Sequence, residues 1–509
     1  MAKTLSVKDS SLTAVADSIR KKTGKSEKLT FPAEFVSEIE SITTGGGGSA
    51  PAVEVQPSDV NFFDYDGTLI AAYTEAQAKA LTELPTPPEH DGLVFQGWNY
   101  TLEEVIANAD AADVGALYIT DDGATRMTIE VIERGAIILS FTQTVASGVQ
   151  IDWGDGETQL SDNYTDQQHI NHTYTAAGVY TITLKPVDDC EIGLGYTSPY
   201  QVIRGQDTVS KEPPVVVKKI NIGNGVTRIE SGAFTGYYEL ETVSMTKNIK
   251  YIGRPALQYC RELKFLTIPR GVTTIFAETF NYCYNLHHIS LAPVIKTINS
   301  AWQYNCSLER IVLIGGFNLN ATNGIGIFSG CTMLSQAVFK SSTLSSLKGF
   351  SGNMFYGCSN LKKVDFAGVS AICRMAFKES GVEELEIPET VIDIDDTNGG
   401  YTFYGCNQLR RISLSSGCEL ITQAMFGNCY RLQYVACNGD IIKIGENAFK
   451  DCKCIKTVDL SHCTAIPTMT AAAFSGTPSD LQILVPAALA DEWKAATNWT
   501  TLADKIVGV

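Results

Sequence analysis

The sequence predicts a multidomain, mainly β protein whose C-terminal half is a solenoid of stacked repeats. Three observations lead there. An anchor residue recurs as Phe234, Leu257, Phe280, Trp302, Phe328, Phe355, Phe377, Phe403, Phe426, Phe449 and Phe474, at intervals of 22 to 27 residues. An aliphatic residue stands six places after the anchor in nine of these eleven rungs. Between anchors run short alternating apolar stretches that suit strands, such as Leu263-Lys-Phe-Leu266-Thr-Ile268 and Leu385-Glu-Ile387. A unit this short cannot bury its own apolar face, so neighbouring units must stack into one continuous core.

In chain order, residues 1–44 predict a helical docking module. Leu12, Val15, Ala16 and Ile19 share one helix face with Ser10 or Ser11 as N-cap, and Phe35, Val36, Ile39 and Ile42 follow on a second short helix. The stretch Leu12-Thr-Ala-Val-Ala-Asp-Ser-Ile-Arg20 through Leu29-Thr-Phe-Pro32 and Ile39 resembles a module at the start of tail-associated proteins of phages and prophages of Gram-positive bacteria. That resemblance implies attachment to other phage tail or baseplate proteins and a virion location after assembly in the host cytoplasm. It also implies a homo-oligomer, commonly a trimer among such fibres. Residues 45–51, with Gly45 to Gly48 and Ser49, form a flexible linker.

Residues 52–110 predict a small α/β spacer domain. Val60-Asn-Phe-Phe-Asp64-Tyr-Asp66-Gly67-Thr68 matches the D-x-D-G-T signature of haloacid-dehalogenase-type phosphatases, with Asp64 as nucleophile, Asp66 as acid/base and Asp121-Asp122 as a second acidic pair. The spacing refuses it: the stretch from Asp66 to Asp121 contains Pro85, Pro87, Pro88 and Gly92 and has no room for the several βα units such a core needs. An Asp-Gly hairpin turn between Asn61-Phe-Phe and Leu69-Ile-Ala explains the motif more simply. Tyr73 to Leu81 reads as a helix, and Gly92-Leu-Val-Phe-Gln-Gly-Trp98 resembles the strand of internalin-type β-grasp repeats, which are spacers and adhesion modules. Trp98 is expected in the core, and His90 has no evident catalytic partner in sequence.

Strands dominate residues 111–213. Asp152-Trp-Gly-Asp-Gly156 and His172-Thr-Tyr-Thr-Ala-Ala-Gly-Val-Tyr180 resemble the two signatures of a PKD-type β-sandwich, with Trp153 as core anchor and Tyr174 as a packing or hydrogen-bonding lid. Asp152 and Asp155 fall short of the oxygens a Ca²⁺ site requires. His169 and His172, three apart on a strand, face opposite sides and are expected on the surface or in turns. Pro213-Pro214 marks a boundary.

Residues 214–509 are the solenoid with a C-terminal helical cap. Units such as Phe280-Asn-Tyr-Cys283-Tyr-Asn-Leu286 resemble the BspA-like branch of leucine-rich repeats, over roughly residues 215 to 487. The resemblance implies a binding or adhesion device without catalytic residues or cofactors. Seven of the 14 cysteines (Cys260, Cys283, Cys331, Cys358, Cys406, Cys429, Cys452) occupy the place three after the anchor, with Cys306 shifted by one. One slot repeated rung after rung reads as a column of reduced thiols filling a core niche; Cys452-Lys-Cys454 lacks the partners for a tetrahedral metal set. Rungs one, seven and eleven lack the cysteine. After the strand Leu481-Gln-Ile-Leu-Val485, helical sequence runs through Trp493, Trp499 and Ile506 to close the last rung.

Two places after the anchor most rungs carry Gly or a polar residue, whereas rungs two, three and four carry Tyr259, Tyr282 and Tyr304. Stacked on successive rungs about 4.8 Å apart, these would form an aromatic strip, a platform for a sugar or a protein partner. The longer loops at 315–324 and 393–400 are a second candidate binding side. A net charge of −17 argues against nucleic acid, no stretch of 18 apolar residues spans a membrane, and Met1 to Ser10 does not read as a secretory signal, so a cytoplasmic site of folding is expected. The function expected is therefore a phage tail fibre or receptor-binding protein that binds a host cell-surface glycan or protein through the solenoid. A BspA-like bacterial surface adhesin is the alternative and a phosphatase the remote one.

Overall fold

The structure, a computed structural model, describes residues 59–196, 201–205, 215–305, 307–314, 318–320, 326–340, 352–366, 369–394 and 400–509. The helical docking module, the Gly-rich linker, Pro213-Pro214, Cys306 and most of the two longer loops lie outside the described residues.

A four-stranded sheet opens the described chain. β1 (Val60–Phe63) and β2 (Leu69–Tyr73) form an antiparallel hairpin closed at Asp64 and Thr68, as the Asp-Gly turn predicts. β3 (Leu93–Trp98) and β4 (Ala112–Thr120) complete the order β2-β1-β4-β3. Two short helices, α1 (Glu75–Lys79) and α2 (Leu102–Ala107), each start from a capping box, Thr74 with Gln77 and Thr101 with Glu104. The boundary drawn at 110/111 is thereby corrected, because β4 belongs to this sheet, parallel to β1 and antiparallel to β3. Its nearly unbroken apolar run is that of a strand covered on both faces.

The second cover is the solenoid. Phe63 packs between Phe265 and His288, at 5.2 and 5.0 Å between ring centres. Val312, Ile314 and Val338 enter the same apolar cluster as Val60, Val114 and Tyr118. Buried Asn99 donates to Ser290 Oγ at 2.9 Å and to the Ile268 carbonyl at 3.2 Å, and its Oδ1 accepts the Gly115 amide. Tyr100 donates to the Leu291 carbonyl, Arg310 faces Asp113 at 3.5 Å, and Lys340 pairs with Asp110. The small domain is therefore seated on the outward face of the rung strands rather than strung out as a spacer.

The β-rich segment that follows is likewise continuous with the repeats. One sheet combines Thr125–Val131, Gly178–Pro186, Val149–Asp152 and Thr158–Leu160; Val215–Asn221 joins its edge antiparallel and then pairs in parallel with Thr242–Ser244 of the first rung. In the other sheet, Gly135–Gln143 pairs with Asp166–Tyr174 and with Ile192–Leu194, which runs parallel to Val226–Ile229. A single apolar core extends from Trp153 to Trp499. The sandwich thus caps the first rung, giving its strands main-chain partners that an open end would lack.

Along the solenoid, rung strands pair in parallel, as in Arg310–Ile314 with Gln336–Lys340 and through the ladder Glu384–Glu386, Arg411–Leu414, Tyr434–Cys437, Thr457–Asp459, Gln482–Val485. The anchors stack inside: from Phe280 through Trp302, Phe328, Phe355, Phe377, Phe403, Phe426 and Phe449 to Phe474, successive ring centres lie 4.7–5.9 Å apart. Trp493 and Trp499 are buried beneath the last rung, where Trp499 meets Phe474. The expected helical ending is corrected at Ile506–Gly508, which forms a further strand parallel to Gln482–Val485. Its β-branched pair, Ile506-Val507, suits that pairing.

Candidate functional site

The place two after each anchor is a backbone feature before it is a side-chain one. All eleven residues there have positive φ: Gly236, Tyr259, Tyr282, Tyr304, Gly330, Gly357, Glu379, Gly405, Asn428, Asp451 and Gly476. The cause is a hydrogen bond along the solenoid axis, in which the amide of this residue donates to a carbonyl of the next rung. Tyr259 N reaches Asn281 O at 3.0 Å, Tyr282 N reaches Gln303 O at 3.1 Å, and Tyr304 N reaches Ser329 O at 2.8 Å. Left-handed backbone favours Gly and, less strongly, Asn or Asp; other residues forfeit about 1–2 kcal/mol. Tyr259, Tyr282 and Tyr304, with φ of 65°, 63° and 60°, occupy the column against its backbone preference.

The structure brings these three together. Tyr259 and Tyr282 stack with ring centres 4.7 Å apart and 6° between planes; Tyr282 and Tyr304 stack at 5.2 Å and 11°. Each stacked pair turns ring faces toward one another, so the pile presents ring edges and phenol groups. Beyond Tyr304 the column continues with Gly330, where a Cβ would lie 2.7 Å from the Tyr304 ring. Burial, then the neighbouring tyrosines, raise the Tyr282 phenol above its usual value.

Three further side chains flank the pile four places after the anchors of rungs one to three: Tyr238, Arg261 and Tyr284. The Arg261 guanidinium lies 4.6 Å from the Tyr238 ring centre and 5.5 Å from that of Tyr284, and Tyr284 meets Tyr282 edge-on at 6.2 Å. Sequence reasoning followed only one column and missed them, although Tyr, Arg, Tyr at one place of consecutive rungs was a readable signal.

The cysteine column is fully buried, and none of its seven thiols is in a disulfide. Each of the seven lies within hydrogen-bond reach of the anchor carbonyl one rung back: Cys283 Sγ of Leu257 O at 3.1 Å, Cys331 of Trp302 O at 3.0 Å, Cys406 of Phe377 O at 2.9 Å, Cys452 of Phe426 O at 3.0 Å. The thiols therefore donate as well as fill space. Burial pushes Cys283, Cys406 and Cys452 up to about 12. In rung one the place belongs to Tyr237, whose hydroxyl accepts the Ile203 amide and donates to the Ile203 carbonyl, tying repeat to sandwich. Cys454 is exposed, whereas Cys452 is buried.

The other sequence candidates are engaged structurally. Buried Asp64 binds His90 Nε2 at 2.7 Å and accepts the Tyr65 amide. Asp66 accepts the Thr68 amide within the turn, and Asp122 pairs with Arg126. His172, expected at the surface, is buried: it stacks on Trp153 at 4.4 Å and binds Asp155 at 2.8 Å, while His169 faces the other side and is exposed. Tyr174 donates to the Trp153 carbonyl at 2.7 Å, and Trp98 is in the core.

Comparison with known proteins adds the following. The BspA type leucine rich repeat region matches residues 215–334, 320–398 and 370–490. No curated protein matches the chain. Among solved structures, a leucine rich cell surface protein from Faecalibacterium prausnitzii is 23% identical over 53% of this chain and 79% of its own, with a TM-score of 0.33. A leucine-rich repeat protein from Bacteroides ovatus is 17% identical over 60% and 97%, with a TM-score of 0.34. The pneumococcal vaccine antigen PcpA is 11% identical over 59% and 80%, with a TM-score of 0.28. With matches running from residue 215 to residue 490, more than half of 509 residues, the chain belongs to the BspA-type leucine-rich repeat family.

Proposed function

We propose that the protein is a non-catalytic surface-binding protein of the BspA-like adhesin kind, which grips its ligand along the tyrosine edge of rungs two to four. The observation that carries this is the run of Tyr259, Tyr282 and Tyr304 in left-handed backbone, where eight other rungs place Gly, Asn, Asp or Glu. Strain retained at three consecutive positions points to a use for the side chains. Family membership supports binding over catalysis, since the matched family is a repeat region.

The test replaces all three tyrosines by glycine, the residue their backbone prefers, so that folding is spared. Loss of adhesion of the purified protein to target cells, with an unchanged melting temperature, supports the proposal; undiminished adhesion sinks it.

A second reading, a phage tail fibre or receptor-binding protein, is favoured by the resemblance of residues 12–39 to tail-associated modules. It assigns the same tyrosine edge to host attachment and the N-terminal segment to assembly with tail proteins. Immunogold electron microscopy separates the two: label on tail tips of particles favours the virion, and label on the wall of uninfected cells favours the adhesin.

A further inference from the structure

Arg261 has an unusual setting in a chain of net charge −17. Its guanidinium lies between two exposed rings, Tyr238 at 47% and Tyr284 at 37% exposure. Neighbouring carboxylates are taken by other groups: Glu239 by Lys218, Glu278 by Arg254, and Glu262 by the Asn285 amide. Among the described residues Arg261 itself makes no ion pair, unlike Arg228, which stacks on Tyr251 but is also held by Glu230. With a ring within 4.6 and 5.5 Å of its centre and no carboxylate paired with it among the described residues, the guanidinium keeps N–H groups for a bidentate acceptor.

Resting on the tyrosine edge as the recognition surface, we infer that its ligand is an acidic saccharide whose carboxylate or sulfate group sits on Arg261. The tyrosine pile repeats every 4.7–5.2 Å. An extended peptide presents same-face side chains about 6.6 Å apart, out of step with that repeat, whereas a chain of pyranose units keeps close to one unit per rung. The sugar hydroxyls meet the phenol edges, and the anionic substituent meets the one cation among them. Electropositive ring edges favour the same acceptor-rich ligand.

The test is calorimetric titration of the full chain with three probes: a hyaluronan hexasaccharide, a heparin-derived hexasaccharide and the neutral chitohexaose. An acidic probe is expected to bind, more weakly as salt rises, and chitohexaose to bind at least about tenfold more weakly, one charge-assisted pair being worth that much. Arg261→Gln should remove this preference, and Arg261→Lys should restore only part of it because the planar fork is lost. Equal binding of neutral and acidic probes, an Arg261→Gln protein that still prefers the acidic probe, or no binding of either acidic probe overturns the inference. If chitohexaose binds the wild type equally well but not the triple tyrosine-to-glycine variant, the edge stands and only the acidic ligand falls. A triple variant that binds every probe like the wild type removes the edge itself.

Discussion

The Cys283 thiol lies 3.1 Å from the main-chain carbonyl oxygen of Leu257, one rung earlier. The same bond recurs at Cys358 with Phe328 and at Cys429 with Phe403. Each of these carbonyls also accepts a backbone amide, Phe403 O that of Cys406 at 3.1 Å, so replacing the thiol removes one of two bonds and costs about 0.5–1.5 kcal/mol beyond the lost volume. Cys429→Ala should therefore lower the melting temperature measurably, and Cys429→Ser, which keeps a donor of similar size, should lower it less. Equal losses in thermal unfolding would mean that the slot needs only volume.

The same burial sets a pH dependence. Folded thiols raised from an ordinary 9.0 to about 12 at Cys283, Cys406 and Cys452 hold their protons more tightly than unfolded ones. Their contribution is complete below about pH 9 and is lost as pH rises from there through about 12. Melting temperatures should fall across that window. At pH 8 a thiol reagent should label exposed Cys454 in the native protein and reach the seven column thiols only after denaturant is added.

What was legible in the sequence is what repeats. Anchors, the thiol slot and the convergence of Tyr259, Tyr282 and Tyr304 follow from one local geometry copied at near-constant spacing. Pairings between unlike segments left no such signal: Asn99 meets Ser290 across 191 positions, and the only local trace is apolar Val312, Ile314 and Val338 on strand faces that would otherwise meet water. The orientation of the tyrosine rings was not readable either, because it depends on the left-handed backbone that the axial amide bond imposes. His172 could have been placed inside, since it alternates with Ile170 and Tyr174, both buried.

Docking of the small domain should depend on Asn99, which joins Ile268, Ser290 and Gly115 while fully buried. Asn99→Ala strands several of these groups at once and should destabilise the domain by about 2–4 kcal/mol. The change should appear as protease cutting within residues 59–120 under conditions where the repeats stay intact. Simultaneous loss of both parts would mean that they unfold as one unit.

Acid should act on the same interface through His288, which stacks on Phe63. Burial lowers its pKa beneath the ordinary 6.5, against the opposing pull of Asp113 and Glu309. The folded state therefore favours the neutral ring; its contribution is present above about pH 6.5 and is lost as pH falls through the lower folded value. Protease sensitivity of residues 59–120 should rise on acidification, and His288→Phe, which keeps an aromatic ring on Phe63, should flatten that dependence. An unchanged acid response in the variant would place the titrating group elsewhere.

Gly330 is where the tyrosine column ends, and both its backbone and its neighbour require glycine. Its φ is +76°, and an added Cβ would sit 2.7 Å from Cδ1 of Tyr304. Gly330→Ala therefore incurs about 1–2 kcal/mol of backbone strain together with displacement of the Tyr304 ring. Tyr304→Gly removes the obstructing ring and leaves the backbone term alone. In a double-mutant cycle, Gly330→Ala should cost less in the Tyr304→Gly background than in the wild type. The difference in unfolding free energy measures the steric part. Additive losses would mean that the Tyr304 ring yields freely, and the pile would then end in a mobile side chain instead of a fixed one.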